Sequence, residues 1–116
     1  MVTGIDVHIY NVKDFERALT FYRALLGCEP TMQFPGTWAE FELADGSAFA
    51  IGKHEDFPWQ PGYTVLFAVP DVTEAIELVR SLGGKAGERK ESPVCFMSFG
   101  EDTEGNQIVL HHRKTQ

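Results

Sequence analysis

Two different periods of apolar and polar residues alternate along this chain, and their order repeats. Runs with a period of two and many β-branched residues indicate strands at GIDVHIYNV, from Gly4, and at YTVLFAV, from Tyr63. A helix is predicted after each run, because apolar residues then recur at spacings of three and four. These residues are Phe15, Ala18, Leu19, Tyr22, Leu25 and Leu26 in the first helix, and Val72, Ala75, Ile76, Val79 and Leu82 in the second.

Start and stop signals flank both predicted helices. Asp14 and Asp71 can each give a side-chain oxygen to the free backbone amides of the first turn, and Glu74 completes a capping box. Gly27 and the pair Gly83-Gly84 stand where a chain leaving a helix commonly needs a positive φ. Both helices are therefore predicted with defined ends.

Three short strand-like runs follow each helix. They are a short run at 31–34, TWAEFEL and SAFAIG in the first half, and AGERK, VCFMSF and NQIVLHH in the second. Turn signals at 44–46 and 102–106 join the last two runs of each trio. The order of one strand, one helix and three strands therefore occurs twice, which predicts an α+β protein built from two tandem βαβββ modules.

Residue identities support an internal repeat at an offset of 57 positions. Val12, Asp14, Ala18, Arg23, Leu25 and Gly27 return as Val69, Asp71, Ala75, Arg80, Leu82 and Gly84. We predict one domain over 1–116, with module one at 1–54, a linker at 55–61 and module two at 62–116. One helix covers one face of a four-stranded sheet, so the other face is available to wall a cleft.

Charge and composition narrow the classes of partner. The formal net charge of −7 and the pI of about 5.0 argue against nucleic acid and anionic membranes, which require clustered Lys and Arg. No apolar run approaches the roughly 20 residues that cross a bilayer. Cys28 and Cys95 form no metal-ligand motif, and no signal peptide is legible, so we expect reduced thiols in the cytoplasm. The acidity favours solubility, with attraction of a cationic ligand as the alternative.

Three stretches carry a resemblance to a known family: VKDFERALTFYRALLG from Val12, VPDVTEAI from Val69 and EDTEGNQIVL from Glu101. Together they resemble the vicinal oxygen chelate superfamily, the glyoxalase/bleomycin resistance protein/dioxygenase group. The resemblance implies two βαβββ modules around a U-shaped cleft, commonly in a homodimer. In the members that are enzymes it also implies a divalent metal such as Fe, Mn, Ni or Zn, held by His and Glu.

The usual ligand positions of that family hold other residues here. The resemblance places one ligand in the first strand of each module, seven residues before the capping Asp, which corresponds to Val7 and Thr64. It places another ligand four residues after each turn glycine, which corresponds to Ala50 and Val109. None of these is a His or a carboxylate, so we expect a cleft without metal.

Several polar residues near those positions keep alternatives open. His8 is expected on the helix side of its strand unless a β-bulge turns it into the cleft. His111 has the parity of a cleft residue, whereas His54 is expected to face solvent. Glu40 and Glu42 share one face of their strand, either an exposed face or the wall of the cleft, where one of them would meet a cationic ligand or act as a general base.

These observations predict a small-molecule-binding protein that sequesters an organic ligand in an apolar cleft without metal. Trp38 and Trp59 are expected at the cleft rim, because both lie in segments with turn signals. The predicted ligand-binding set is Val7, Trp38, Ala50, Trp59, Thr64, Val109 and His111. The alternative is a metal-dependent lyase, isomerase or dioxygenase with displaced ligands at His8, His111 and Glu42 or Glu40, and a third possibility is an interaction subunit with a filled cleft.

Overall fold

A computed structural model describes residues 1–53, 59–62 and 64–114. The chain divides into two compact units, Met1–Gln60 and Pro61–Gln116. His54 and most of the predicted linker lie outside the described residues. No helix in the described ranges is long and apolar enough to span a membrane.

The first unit has the predicted order of one strand, one helix and three strands. Its elements are β1 (His8–Asn11), α1 (Phe15–Leu26), β2 (Met32–Phe34), β3 (Trp38–Glu42) and β4 (Ala48–Gly52). The sheet order is β1-β4-β3-β2, in which β1 and β4 are parallel and the other pairs antiparallel. The first strand is shorter than its apolar run, because pairing begins only at His8.

The ends of α1 form as predicted. Asp14 accepts a hydrogen bond from the backbone amide of Arg17 at 3.1 Å, which satisfies a free donor of the first turn. Gly27 ends the helix at φ 69°, a left-handed conformation that glycine adopts without a Cβ clash. Both predicted caps of α1 are therefore confirmed.

An aromatic cluster joins α1 to its sheet. Tyr22 is fully buried and packs its ring against Phe49 of β4 at a centroid distance of 4.7 Å. Tyr10 of β1 meets the same Phe49 ring edge-on at 5.6 Å. Phe21, which the helical spacing did not select, is also buried against Tyr22, whereas the predicted Leu25 is only half-buried.

The second unit repeats this plan with one difference. Its elements are β5 (Val65–Ala68), α2 (Val72–Ser81), β6 (Lys85–Ala86), β7 (Lys90–Glu91), β8 (Cys95–Glu101) and β9 (Gln107–Arg113). The sheet order is β5-β9-β8-β6, with β7 also paired to β8. Asp71 caps α2 by accepting from the Glu74 amide at 3.1 Å, and Gly83 follows the helix at φ 88°, as predicted.

The predicted strand AGERK is the difference, because the structure divides it into β6 and β7. Ala86 pairs with Gly100, and Lys90 pairs with Met97, so one extra residue lies on the edge side between the two pairs. This is the signature of a β-bulge. The hydroxyl of Ser98 donates to the Gly87 carbonyl at 2.8 Å and satisfies a backbone group that the bulge frees from the ladder.

A buried polar network fixes the turn between β8 and β9. The Asp102 carboxylate accepts from the backbone amides of Glu104 and Asn106 at 2.8 and 2.9 Å, and from the Asn106 side-chain amide at 2.8 Å. The Asn106 side-chain oxygen accepts from the Gly62 amide at 2.7 Å. Because Asp102 and Asn106 are both buried, this network ties the segment that precedes β5 to the turn.

Candidate functional site

Strand register shows which side chains share the sheet face opposite α1. In the first unit Ile9 pairs with Ala50, Ala50 with Glu40, and Glu40 with Met32, so these four residues form one row across the sheet. Tyr10 and Ile51 alternate with them and are buried on the α1 side. Glu40 therefore lies on the face that α1 does not cover, between apolar neighbours.

The candidate residues of the first unit separate onto two faces. Ala50 is fully buried in the row described above, and Val7 lies half-buried directly before β1. Glu42 has the parity of Ala50, whereas His8 pairs with Phe49 on the α1 side. The pairing of β1 is regular from its first residue, so no bulge within the strand turns His8 around. His8 and Glu42 consequently point to opposite faces of one sheet and are not brought together.

Each tryptophan of the first unit has a defined neighbour. A Cβ placed on Gly52 would meet Trp38 ring atoms at 3.1 and 3.2 Å, so the indole lies directly over that glycine. The Lys13 ammonium lies 3.8 Å from the centre of the Trp59 ring, a cation–π contact. Both indole Nε1 atoms are buried and find no hydrogen-bond partner within the part of the chain that the structure describes. Such donors can be satisfied by a guest or by water.

The second unit contains a pocket of about 490 Å³. Two of the predicted ligand-binding residues, Thr64 and Val109, line it together. The remaining lining residues come from β6, the bulge, β8 and β9: Lys85, Ala86, Gly87, Phe99, Gly100, Glu101, Gln107 and Ile108. The pocket therefore opens on the sheet between its edge strand and β9.

Apolar side chains form one wall of this pocket. Val109 on β9 and Phe99 on β8 are a cross-strand pair, and both line the pocket. Leu66 on β5 continues their row on the face opposite α2 but lies beyond the lining residues. Val109 is 4% exposed, whereas Phe99 and Leu66 are 54% and 57% exposed. A large exposed ring beside a buried aliphatic side chain is a surface onto which an apolar guest can pack.

The edge-strand side of the pocket depends on a glycine. A Cβ on Gly100 would meet the carbonyl oxygen of Lys85 at 2.1 Å, so β6 can approach β8 this closely only because Gly100 has no side chain. Arg80 of α2 donates from Nε and Nη2 to the Ala86 carbonyl at 3.0 and 2.8 Å, which holds β6 from the helix side. Lys85, Gly100 and Glu101 could not be selected from the sequence, because their proximity depends on the register of an edge strand.

The two histidines of β9 have different surroundings. His111 is half-buried, pairs with Ala68 and Met97, and has the parity of Val109, but it is not among the residues that line the pocket. The His112 Nδ1 atom lies 2.9 Å from the Val69 carbonyl, which gives that ring a structural hydrogen bond. Thr64 and Val109 are thus brought together without His111.

A sequence profile of the glyoxalase/bleomycin resistance protein/dioxygenase superfamily matches residues 4–110. The chain belongs to this superfamily. The match spans both βαβββ units, so the resemblance inferred from the motifs is confirmed. No curated protein matches the chain in sequence.

Solved structures of low sequence identity share this superfamily fold. A glyoxalase/bleomycin resistance protein from Catenulispora acidiphila is 24% identical, with a TM-score of 0.68 over 91% of this chain and 95% of that one. An antibiotic-binding protein from a Streptomyces strain is 18% identical, with a TM-score of 0.77 over 97% and 98%. The fosfomycin resistance protein FosX from Listeria monocytogenes is 17% identical, with a TM-score of 0.75 over 97% and 94%.

The divalent metal of the enzymatic superfamily members can be tested against the donors that this chain offers. Val7, Ala50 and Val109 present hydrocarbon, and Thr64 presents one neutral hydroxyl, whereas such metals take imidazole, carboxylate or thiolate ligands. Within 1–53, 59–62 and 64–114, no three His, Cys, Asp or Glu side chains are grouped so that they could hold an ion. The residues at these positions do not fit the metal.

Proposed function

We propose that this superfamily member binds a small organic molecule in the pocket of its second unit, without a metal ion. The observation that carries the proposal is the pocket of about 490 Å³ on which Thr64 and Val109 converge. Ligand pockets commonly span about 300–1,000 Å³, so this one has room for a compact organic guest. A pocket of this size also argues against the third possibility, an interaction subunit whose cleft is filled.

The chemistry of the walls favours binding over catalysis. Val109 and Phe99 offer apolar area, and the exposed Thr64 offers one hydroxyl. Burial of apolar surface contributes about 25 cal/mol per Å², so an aromatic group packed on Phe99 gains affinity without chemical activation. Two structural neighbours, described as an antibiotic-binding protein and a fosfomycin resistance protein, support an organic guest of antibiotic-like size.

The experiment follows amide signals of the ¹⁵N-labelled protein while aromatic fragments are added in the presence of EDTA. We expect shifts that cluster at Thr64, Gly87, Phe99 and Val109 and that EDTA does not abolish. The variant Thr64→Trp fills the pocket mouth and should remove these shifts, whereas Thr73→Trp, on the exposed side of α2, should retain them. Shifts that appear only after a divalent metal is added would contradict the proposal.

We also propose that the protein is a cytoplasmic homodimer that acts on neither nucleic acid nor membranes. Superfamily membership supports the dimer, and the net charge of −7 supports the absence of polyanionic partners. Both cysteines are free thiols, which persist in reducing compartments. Light scattering coupled to size-exclusion chromatography tests the dimer. We expect a mass twice that of the 13.0 kDa chain.

A further inference from the structure

Two opposite charges lie side by side at the pocket of the second unit. Lys85 on β6 and Glu101 on β8 are directly paired in the antiparallel ladder, and both line the pocket. Opposite charges at such cross-strand positions normally attract each other. Among the described residues, however, neither side chain makes an ion pair or a hydrogen bond. Both charged groups are therefore available to a guest.

Nearby residues show that charged side chains of this unit can find partners. Lys114 forms an ion pair with Glu91 of β7, and Arg80 donates two hydrogen bonds to the Ala86 carbonyl. The backbone around Lys85 is also fixed. Arg80 binds the carbonyl of Ala86, and the missing side chain of Gly100 lets the Lys85 carbonyl lie close to β8. The unpaired state of Lys85 and Glu101 thus coincides with the pocket, where one guest could contact both side chains.

The pocket surface beside these charges is apolar. Phe99 and Val109 form a cross-strand pair on β8 and β9, next to the pair that Glu101 makes with Gln107. The Lys90 ammonium lies 5.9 Å from the Phe99 ring centre and adds positive charge on the edge-strand side. The pocket therefore presents cations along the edge strand, a carboxylate on β8 and apolar surface beside them.

We infer that the guest is a zwitterion with an apolar, preferably aromatic, body. Its cationic group meets Glu101, its anionic group meets Lys85, and its body packs on Phe99 and Val109. This inference rests on the proposed function, because it assigns a ligand class to the same pocket. Charge-assisted contacts at a partly exposed rim contribute modestly, so each matched charge should improve affinity about three- to tenfold.

The test compares four probes that share one phenyl body: phenylalanine, 2-phenylethylamine, 3-phenylpropanoate and 2-phenylethanol. Dissociation constants come from amide titrations at low salt and neutral pH. Phenylalanine should bind most tightly. Lys85→Met should weaken the binding of phenylalanine and 3-phenylpropanoate about three- to tenfold but leave that of 2-phenylethylamine unchanged. Glu101→Gln should instead weaken the binding of phenylalanine and 2-phenylethylamine and leave that of 3-phenylpropanoate unchanged. Lys53→Met makes an equal charge change in the first unit and should leave the dissociation constants of all four probes unchanged.

A charge exchange provides a second test that does not depend on either single variant. Lys85→Glu combined with Glu101→Lys keeps both charges at the pocket, so the preference for phenylalanine should return. Equal affinities for all four probes at the pocket residues would overturn the zwitterion inference and leave the binding function standing. If no probe shifts the pocket amides, both the inference and the proposed function are wrong.

Discussion

Replacing Gly100 with alanine tests the packing that shapes the pocket. The added Cβ would stand 2.1 Å from the Lys85 carbonyl oxygen, and real Cβ atoms essentially never approach other atoms within 3.0 Å. The β6 backbone must therefore retreat by roughly 0.9 Å or more. That movement strains the hydrogen bonds from Arg80 to the Ala86 carbonyl and from the Gly87 amide to the Phe99 carbonyl.

The expected cost combines overpacking with weakened hydrogen bonds. Overpacking costs about 1–3 kcal/mol, and each weakened hydrogen bond costs about 0.5–1.5 kcal/mol. Loss of glycine freedom in the unfolded chain offsets about 0.4–1 kcal/mol. The free energy of unfolding should fall by about 2 kcal/mol, which corresponds to a melting temperature lower by very roughly 6–10 °C for a domain of this size.

Urea denaturation followed by circular dichroism measures this change, and Gly87→Ala is the matched control. A Cβ on Gly87 meets nothing closer than the Phe99 carbonyl oxygen at 3.4 Å, and Gly87 does not have a positive φ. The control should lie within about 1 kcal/mol of the parent. If Gly100→Ala is as stable as the parent, or if both variants lose the same stability, close packing of β6 on Gly100 does not shape this edge of the sheet.

Two further predictions concern polar contacts of the second unit. Asn106→Ala removes buried bonds to Asp102 and Gly62 and should lower the unfolding free energy by about 2–4 kcal/mol in urea melts, whereas a loss below about 0.5 kcal/mol would contradict a structural network. The hydrogen bond and charge of Lys114 lower the pKa of Glu91 in the folded protein. The pair therefore stabilises the fold at pH values above the Glu91 pKa of the unfolded chain, and this contribution is lost as the pH falls through the lower Glu91 pKa of the folded protein. Lys114→Met should therefore raise the Glu91 pKa in an NMR titration, and an unchanged pKa would argue against the ion pair.

Local signals in the sequence sufficed for most of the fold. Asp14 and Gly27 act through neighbours in the chain, so their roles at the ends of α1 were predictable from residue type and spacing. The burial of Phe21 and the division of AGERK into β6 and β7 were not predictable in this way. Both depend on packing against residues distant in sequence, as the bond from Ser98 to the bulge shows.

The site was predictable only where family resemblance marked a position. Thr64 and Val109 were selected by their distances from a capping Asp and a turn glycine, and the structure places both on one pocket. Alternation showed that Glu40 and Glu42 share a face, but only register identified it as the face that α1 leaves uncovered. The unpaired Lys85 and Glu101 gave no signal, because both are ordinary surface residue types.

Metal content shows whether this protein works without an ion, since hydrocarbon and hydroxyl groups stand where the enzymatic superfamily members bind one. The protein should be purified without chelators, and its Fe, Mn, Ni and Zn quantified by inductively coupled plasma mass spectrometry. We expect far less than one equivalent of any of these metals per chain. Close to one equivalent of a single metal, retained through dialysis, would contradict a pocket that binds its guest without metal.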